Sequence, residues 1–184
     1  MTILWICGAR VAGGAEQTMA QLAGLLRQRG HALTVAAPPG SRLLTLPALR
    51  DLTVQAAPLG GSLNLRAALA TARLLAARRP DIALVTTADE WVWSCLAPRP
   101  RRTRLVLVRH MALPLPRRVQ WLAARRADAV VAVSEAVRDS LAAVPAARLH
   151  VIHNPGRFPP RTAPPSRAAR AAARAALGLP ASGH

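Results

Sequence analysis

The sequence of 184 residues predicts an α/β fold: a doubly wound, mostly parallel sheet of six or seven strands with helices on both faces. Two observations carry that expectation. Short apolar runs alternate with amphipathic segments of helical period from residue 3 to residue 152, joined by short, nearly uniform loops that favour right-handed βαβ connections. Several runs, such as Ala129-Val130-Val131-Ala132-Val133, are apolar on both faces, as strands are when helices cover each side.

Residues 3–7 are an unbroken apolar run and form the first strand. After a glycine-containing loop, Met19, Leu22, Ala23 and Leu26 recur at helical spacing with Gln17, Gln21 and Gln28 opposite them. Gly30 suits the left-handed position that ends a helix, and residues 31–37 return to a strand pattern. A second unit opens with a strand over 52–57. Its helix begins near Ser62, carries Leu65, Leu69, Ala72, Leu75 and Ala76 on one face, and stops at Pro80. The alternation continues with strand 82–86, helix 90–96, strand 105–108, helix 115–126, strand 129–133, helix 134–143 and strand 149–152. Beyond Asn154 the prolines 155, 159, 160, 164 and 165 mark a linker, followed by an alanine-arginine helix over 166–177 that Gly178 stops. Arg167, Arg170 and Arg174 share one face of that helix. Residues 1–156 therefore read as one domain and 157–184 as a proline-rich linker with one helix, a chain that looks cut short.

All 25 basic residues are arginine, against 8 acidic ones, for a net charge of +17. Without lysine there is no Walker-A phosphate loop, no Schiff-base lysine and no kinase-type strand lysine. The longest uncharged stretch, residues 52–65, is interrupted by Pro58, Gly60 and Gly61 and falls short of the about 20 apolar residues that span a bilayer. Residues 1–7 lack a basic segment ahead of the apolar run, so they read as a buried strand and not as a secretion signal, and cytoplasmic residence is the expectation. Cys7 and Cys95 lie in apolar runs without ligand spacing, which favours core thiols over a disulfide or a zinc site; no metal is expected.

Ligands of open α/β sheets bind outside the carboxyl ends of the strands, which directs attention to Gly8-Ala9-Arg10-Val11-Ala12-Gly13-Gly14-Ala15-Glu16. Arg10 stands where the dinucleotide fingerprint needs its second glycine, so NAD is disfavoured. Gly13 and Gly14 immediately precede a helix, where backbone can approach a sugar hydroxyl or phosphate and the positive helix end faces it; a plain βα turn is the alternative. Glu16, in the first helical turn, offsets the helix dipole whatever its other role. Ser134 is placed as an N-cap. Asp89 and Glu90 form a carboxylate pair at another strand end, able to bond acceptor hydroxyls or to begin a helix, and the second reading is preferred.

Three ordered stretches resemble the acceptor-side, N-terminal domain of family 4 glycosyltransferases, retaining enzymes of the GT-B fold. They are Gly13-Gly14-Ala15-Glu16 with its helix and Arg29-Gly30-His31-Ala32-Leu33-Thr34-Val35, then residues 127–135, then Leu149-His150-Val151-Ile152-His153-Asn154-Pro155-Gly156. The resemblance implies a Rossmann-like domain whose glycine loop, Gly13 and Gly14, lies across the cleft from the donor diphosphate. It implies His110 as the catalytic histidine beside the transferred sugar, a strand-end residue being the plainer reading. Arg109, Glu16, Ser134 and Asn154 join Gly13 and Gly14 as substrate-binding positions. The implied reaction moves a sugar from a nucleotide-diphosphate sugar to a glycan or lipid-linked acceptor without a cofactor or metal. The donor-binding domain with its E-x7-E segment is expected elsewhere, in cis or on another chain, and this part alone is expected to be inactive. Met111 and Ala112, in place of polar residues, and Pro155, between Asn154 and Gly156, depart from the family pattern, and the first of these departures puts the choice of acceptor in question.

The charge of +17 implies a polyanionic partner. An anionic membrane fits a family that uses lipid-linked acceptors, and residues 115–126 place Trp121 and Leu122 between Arg117-Arg118 and Arg125-Arg126, as an interfacial helix would at the inner face of the membrane; a helix packed on the sheet with a solvated basic edge is the alternative. Nucleic acid is disfavoured by the absence of tyrosine, the single phenylalanine and the lack of a recognised binding motif. A non-catalytic anion-binding module is the rival to the enzyme.

Overall fold

The computed structural model describes residues 1–61, 63–154 and 166–180, and the chain divides into two compact units, Met1–Asn154 and Pro155–His184. The first contains β1 (Thr2–Ile6), α1 (Gly14–Gln28), β2 (Ala32–Ala37), β3 (Thr53–Ala56), α2 (Leu65–Arg78), β4 (Ile82–Val85), α3 (Ala88–Leu96), β5 (Arg104–Arg109), α4 (Arg117–Arg126), β6 (Ala129–Ala132), α5 (Glu135–Asp139) and β7 (Leu149–Val151). In the second, α6 (Arg167–Ala176) is capped by Ser166, whose hydroxyl accepts from the Ala169 N–H at 3.1 Å. The expected linker prolines at 155–165 and Ser62 lie outside the described residues.

Seven strands form one sheet in the order β3-β2-β1-β4-β5-β6-β7, and every neighbouring pair is parallel. The order reverses between β1 and β4, which opens a crevice at the carboxyl ends of those two strands. Alternation along β1 divides the core: Leu4 and Ile6 face the layer made by α2, α3, α4 and α5, whereas Ile3, Trp5 and Cys7 face α1 and two 3-10 turns, Arg42–Thr45 and Pro47–Leu49. Buried polar groups are placed where partners exist. Gln120 donates to the Leu115 and Ser140 carbonyls at 2.9 and 3.3 Å and accepts from the Ala143 N–H at 3.0 Å, tying α4 to the segment after α5.

Local pattern and tertiary structure disagree at four places. The inward face of α2 is Ala67, Ala70, Thr71, Leu74 and Leu75, so that Leu65 and Leu69, expected in the core, are 77% and 50% exposed. Alanine at 67 and 70 lets the helix lie close to the sheet, and the rotation this selects carries the two leucines outward. Helix α5 stops at Asp139, short of residue 143: the Ser140 hydroxyl donates to the Val137 carbonyl at 2.7 Å, and the chain tightens so that Leu141 and Val144 both reach the core. Helix α4 starts at Arg117 because Pro116 holds Leu115 out of the helical region. Finally, Ala129 and Val131 on β6 and Val106 on β5 are only half-buried, since α1 and the 3-10 turns pack over β1, β2 and β4.

Helix α2 ends on Arg79 at φ +43°, the one non-glycine residue in the left-handed region among those described. That conformation costs an L-residue about 1–2 kcal/mol, and the Arg79 carbonyl, which accepts from Arg102, is kept by any residue. Arg79→Gly is therefore expected to raise stability by about 1 kcal/mol, read as an increased urea midpoint at unchanged slope.

Candidate functional site

Three loops meet at the crevice: those after β1, β3 and β4. One buried carboxylate joins them. Glu90, in the first turn of α3, accepts the Gly60 N–H at 2.6 Å on Oε1 and the Thr87 hydroxyl on Oε2, while Thr87 Oγ1 accepts the Gly8 N–H at 2.7 Å. A Cβ on Gly8 would come within 2.2 Å of Glu90 Oε2, so glycine is required there for contact and not for backbone freedom. Burial pushes the Glu90 carboxyl up, against the pull of its hydrogen bonds from Thr87 and Gly60. Its neighbour Asp89 is exposed and accepts the Gly61 N–H at 3.2 Å, and the Trp93 indole donates to the Gly61 carbonyl at 3.1 Å. Sequence reasoning assigned this acidic pair to the start of a helix; the signal it passed over is a carboxylate leading an apolar run, Glu90-Trp91-Val92-Trp93, directly after a strand.

On the other side of β1, the Gly13 N–H donates to Glu16 Oε2 at 2.9 Å, the returning half of a capping box at the start of α1, the other half being absent because glycine has no side chain. A Cβ on Gly13 would meet that same oxygen at 3.1 Å, whereas one on Gly14 would meet nothing within 4 Å, so open space lies in front of Gly14. His110, at the end of β5, is half-buried, and neither ring nitrogen has a hydrogen-bond partner among the described residues. Burial lowers its pKa and the charge of Glu16 works in the opposite direction, which brings Glu16 and His110 into one electrostatic neighbourhood. At neutral pH the ring is an uncharged imidazole with one donor and one acceptor, the pairing that a sugar hydroxyl complements.

The remaining positions are set apart from this group. Arg109 points into the domain, 7% exposed; its Nη2 donates to the Leu113 carbonyl at 2.9 Å and holds the loop that carries His110, while Nε has no partner among the described residues. Ser134 caps α5, its hydroxyl accepting from the Val137 N–H at 3.3 Å. Asn154 is exposed at the end of the first unit. Cys7 and Cys95 are free, buried thiols, each raised to about 11 by burial. Among the described residues no group of three His, Cys, Asp or Glu side chains could hold a metal ion, and no helix is long and apolar enough to cross a membrane.

Residues 12–155 match the sequence pattern of Glycosyltransferase Family 4. The chain belongs to glycosyltransferase family 4. No curated protein matches its sequence significantly. Among solved structures, Alr3699/HepE of Anabaena in complex with UDP is similar at a TM-score of 0.71 and 22% identity, covering 97% of this chain and 50% of that one. A glycosyltransferase from Rickettsia africae ESF-5 is similar at 0.67 and 18% identity, covering 97% and 50%. The lipopolysaccharide outer core galactosyltransferase WaaB, in its apo form, is similar at 0.64 and 14% identity, covering 89% and 50%. This family 4 chain thus spans about half the length of the solved structures it matches, and its fold is that of the N-terminal domain of a GT-B enzyme.

Two outcomes follow for this family 4 domain. Glu90→Ala leaves the Gly60 N–H and the Thr87 hydroxyl without their acceptor and is expected to cost about 3 kcal/mol in chemical unfolding, with Glu90→Gln costing less because one acceptor oxygen remains. His110, with its folded pKa lowered, contributes stability that is present above about pH 6.5, the unfolded value, and lost as the pH falls from there through the lower folded value. Glu90 is shifted the other way, so the informative quantity is a difference between variants: the loss of stability from pH 7 to pH 5 should be smaller in His110→Ala than in the wild type.

Proposed function

We propose that this domain binds the acceptor in the transfer of a sugar from a nucleotide-diphosphate sugar to a glycan or lipid-linked acceptor, in a cleft whose donor side is supplied by a second domain, in cis or on a separate chain. The observation that carries the reading is His110: a half-buried, uncharged imidazole with both nitrogens unpartnered among the described residues, at the carboxyl end of the sheet and within electrostatic reach of Glu16. Membership in family 4 supports the reaction class, and similar solved structures contain UDP, or UDP-glucose, in a chain about twice as long.

In this reading the acceptor hydroxyl takes hydrogen bonds from His110 and lies before the open N-terminus of α1 at Gly14. Its oxygen forms the new bond to the anomeric carbon as the bond from that carbon to the diphosphate breaks, with configuration retained and the hydroxyl proton passing to the departing phosphate oxygen. The domain contributes position and a preorganised polar surface. Arg109 and Ser134 act through the loops they hold, and neither a metal nor a cofactor enters the scheme. The site works at the cytoplasmic face of a membrane when the acceptor is lipid-linked.

The test uses a protein carrying both domains. His110→Ala should lower kcat by about 100-fold or more, as loss of a preorganised hydrogen bond does, while the dissociation constant for the nucleotide sugar changes less than twofold; wild-type turnover in that variant would remove His110 from the site. The present chain by itself should show no transfer.

A further inference from the structure

The sheet ends on β3, and the outer edge of that strand is bare. The Ala57 N–H donates inward to the Ala37 carbonyl at 2.9 Å, so by the alternation of a strand Gln55 and Ala57 bond toward β2 while Val54 and Ala56 turn their N–H and C=O groups outward. Both outward residues are exposed, and no hydrogen bond from the described residues reaches their backbone groups. Thr53–Ala56 includes no charged side chain and no proline, the devices that commonly block an edge. Alongside this edge, α2 and β3 enclose a groove of about 420 Å³ lined by Ala57, Leu69, Leu74 and Ala77. Arg66 and Arg73 border it with guanidinium groups that have no partner among the described residues, whereas Arg78 is held by bonds from Nε and Nη2 to Gln55 Oε1 at 3.2 and 2.7 Å. Between Asp51 and Asp81 the sequence holds four arginines and no carboxylate side chain. A groove between an edge strand and a helix, with free backbone on one wall and unopposed charge on the other, is the arrangement into which an extended chain fits.

We propose that β3 accepts an added strand from a partner protein, an extended acid-x-aliphatic-x-acid segment whose backbone pairs with Val54 and Ala56 and whose alternate side chains enter the groove. Spacing specifies the segment. Arg66 and Arg73 lie about 10.5 Å apart along the axis of α2, with Leu69 between them. In an extended chain residues i, i+2 and i+4 share a face, and i and i+4 are about 13 Å apart. Carboxylates at i and i+4 therefore reach the two guanidinium groups, the flexible arginine stems taking up the difference, while the aliphatic residue at i+2 covers Leu69. Complementarity rejects the other occupants. A second copy would bring the same arginines and a β3 without carboxylates. A nucleic acid would find no aromatic ring on the groove to stack on, and an anionic bilayer would leave the outward N–H and C=O groups of Val54 and Ala56 unpaired. Pro58 lines the same groove, and Gly60, two residues on, donates to Glu90, so the added strand ends beside a loop that Glu90 holds. Strand addition is independent of the transfer reaction proposed above.

The experiment is fluorescence anisotropy of the whole chain with the labelled peptide Gly-Glu-Thr-Val-Thr-Glu-Gly at physiological salt, beside the same peptide with lysine in place of both glutamates. Saturable binding of the glutamate peptide is expected, at least tenfold tighter than that of the lysine peptide. Affinity should fall at least tenfold in Arg66→Gln/Arg73→Gln, and likewise in Val54→Pro, which removes an outward N–H at an edge where proline is tolerated. Circular dichroism reports whether each variant is folded, and the arginine variant and the methylated peptides below decide the matter without Val54→Pro. N-methylation separates strand pairing from charge attraction, since the N–H groups of the two threonines point to one edge of the peptide and that of valine to the other. Of the peptide methylated at both threonines and the one methylated at valine, one should bind at least tenfold more weakly and the other within threefold of the parent. Equal binding by the two, no preference over the lysine peptide, or unchanged affinity in the arginine double variant would overturn the proposal. Failure of the glutamate peptide to bind would overturn it as well, with arginine-dependent uptake on phosphatidylglycerol vesicles or on an oligonucleotide identifying the occupant instead.

Discussion

The buried carboxylate of Glu90 is the constraint on which the functional end of the domain depends. A parallel sheet that reverses its strand order leaves a gap between the loops after β1 and β4, and the backbone donors there need acceptors that no strand supplies. Glu90 meets that need from within α3. The Gly60 N–H and the Thr87 hydroxyl donate to it, and Thr87 in turn accepts from Gly8. The cost of taking a carboxylate out of water is visible as the upward push on its pKa. What the arrangement secures is geometry, for three loops from three different strands are held by one side chain. It also explains why Gly8 has no room for a side chain, a requirement unrelated to backbone conformation.

Around that anchor the polar residues separate into those with a partner to hold and those without one. Arg109 grips the Leu113 carbonyl beneath the His110 loop, Ser134 caps α5, and Glu16 closes the cap of α1 at Gly13. His110 has both ring nitrogens buried and without a hydrogen-bond partner among the described residues, and open space lies before Gly14. This division suits a domain that contributes position more than reactive groups, since an imidazole that burial keeps uncharged can give and take a hydrogen bond without adding charge to the site. The arginine excess has no such focus at the cleft. On the first unit it gathers along α2 and α4, and α2 combines it with exposed leucines.

Much of the architecture was legible because periodicity and punctuation report it directly. Gly30 at φ +82° and Gly178 at φ +65° follow their helices as glycine-terminated helices require, and the alternation of apolar runs with helical periods is the observed order of strands and helices. The candidate cleft was legible in part. Gly13, Gly14, Glu16 and His110 gather at the carboxyl end of the sheet, while Arg109, Ser134 and Asn154 lie apart from them with local roles or none. Glu90 was hidden because an acid beside Asp89 at a helix start has an ordinary reason to be there, offsetting the helix dipole, and nothing local signals that two other loops will turn their donors toward it.

The sequence by itself determined the alternation of strands and helices, the family and the sign of the charge, because each of these is carried by residues close together in the chain or by simple counting. Tertiary structure decided the rest. Helix α2 carries two apolar stripes, one rich in alanine and one holding Leu65 and Leu69, and both satisfy a helical period. Only the close approach that Ala67 and Ala70 permit against the sheet selects which stripe is buried, and so which leucines the domain presents to its surroundings. In the same way, strand order brings Gly8, Gly60 and Thr87 to a single carboxylate, a coincidence of three distant segments that no local pattern contains.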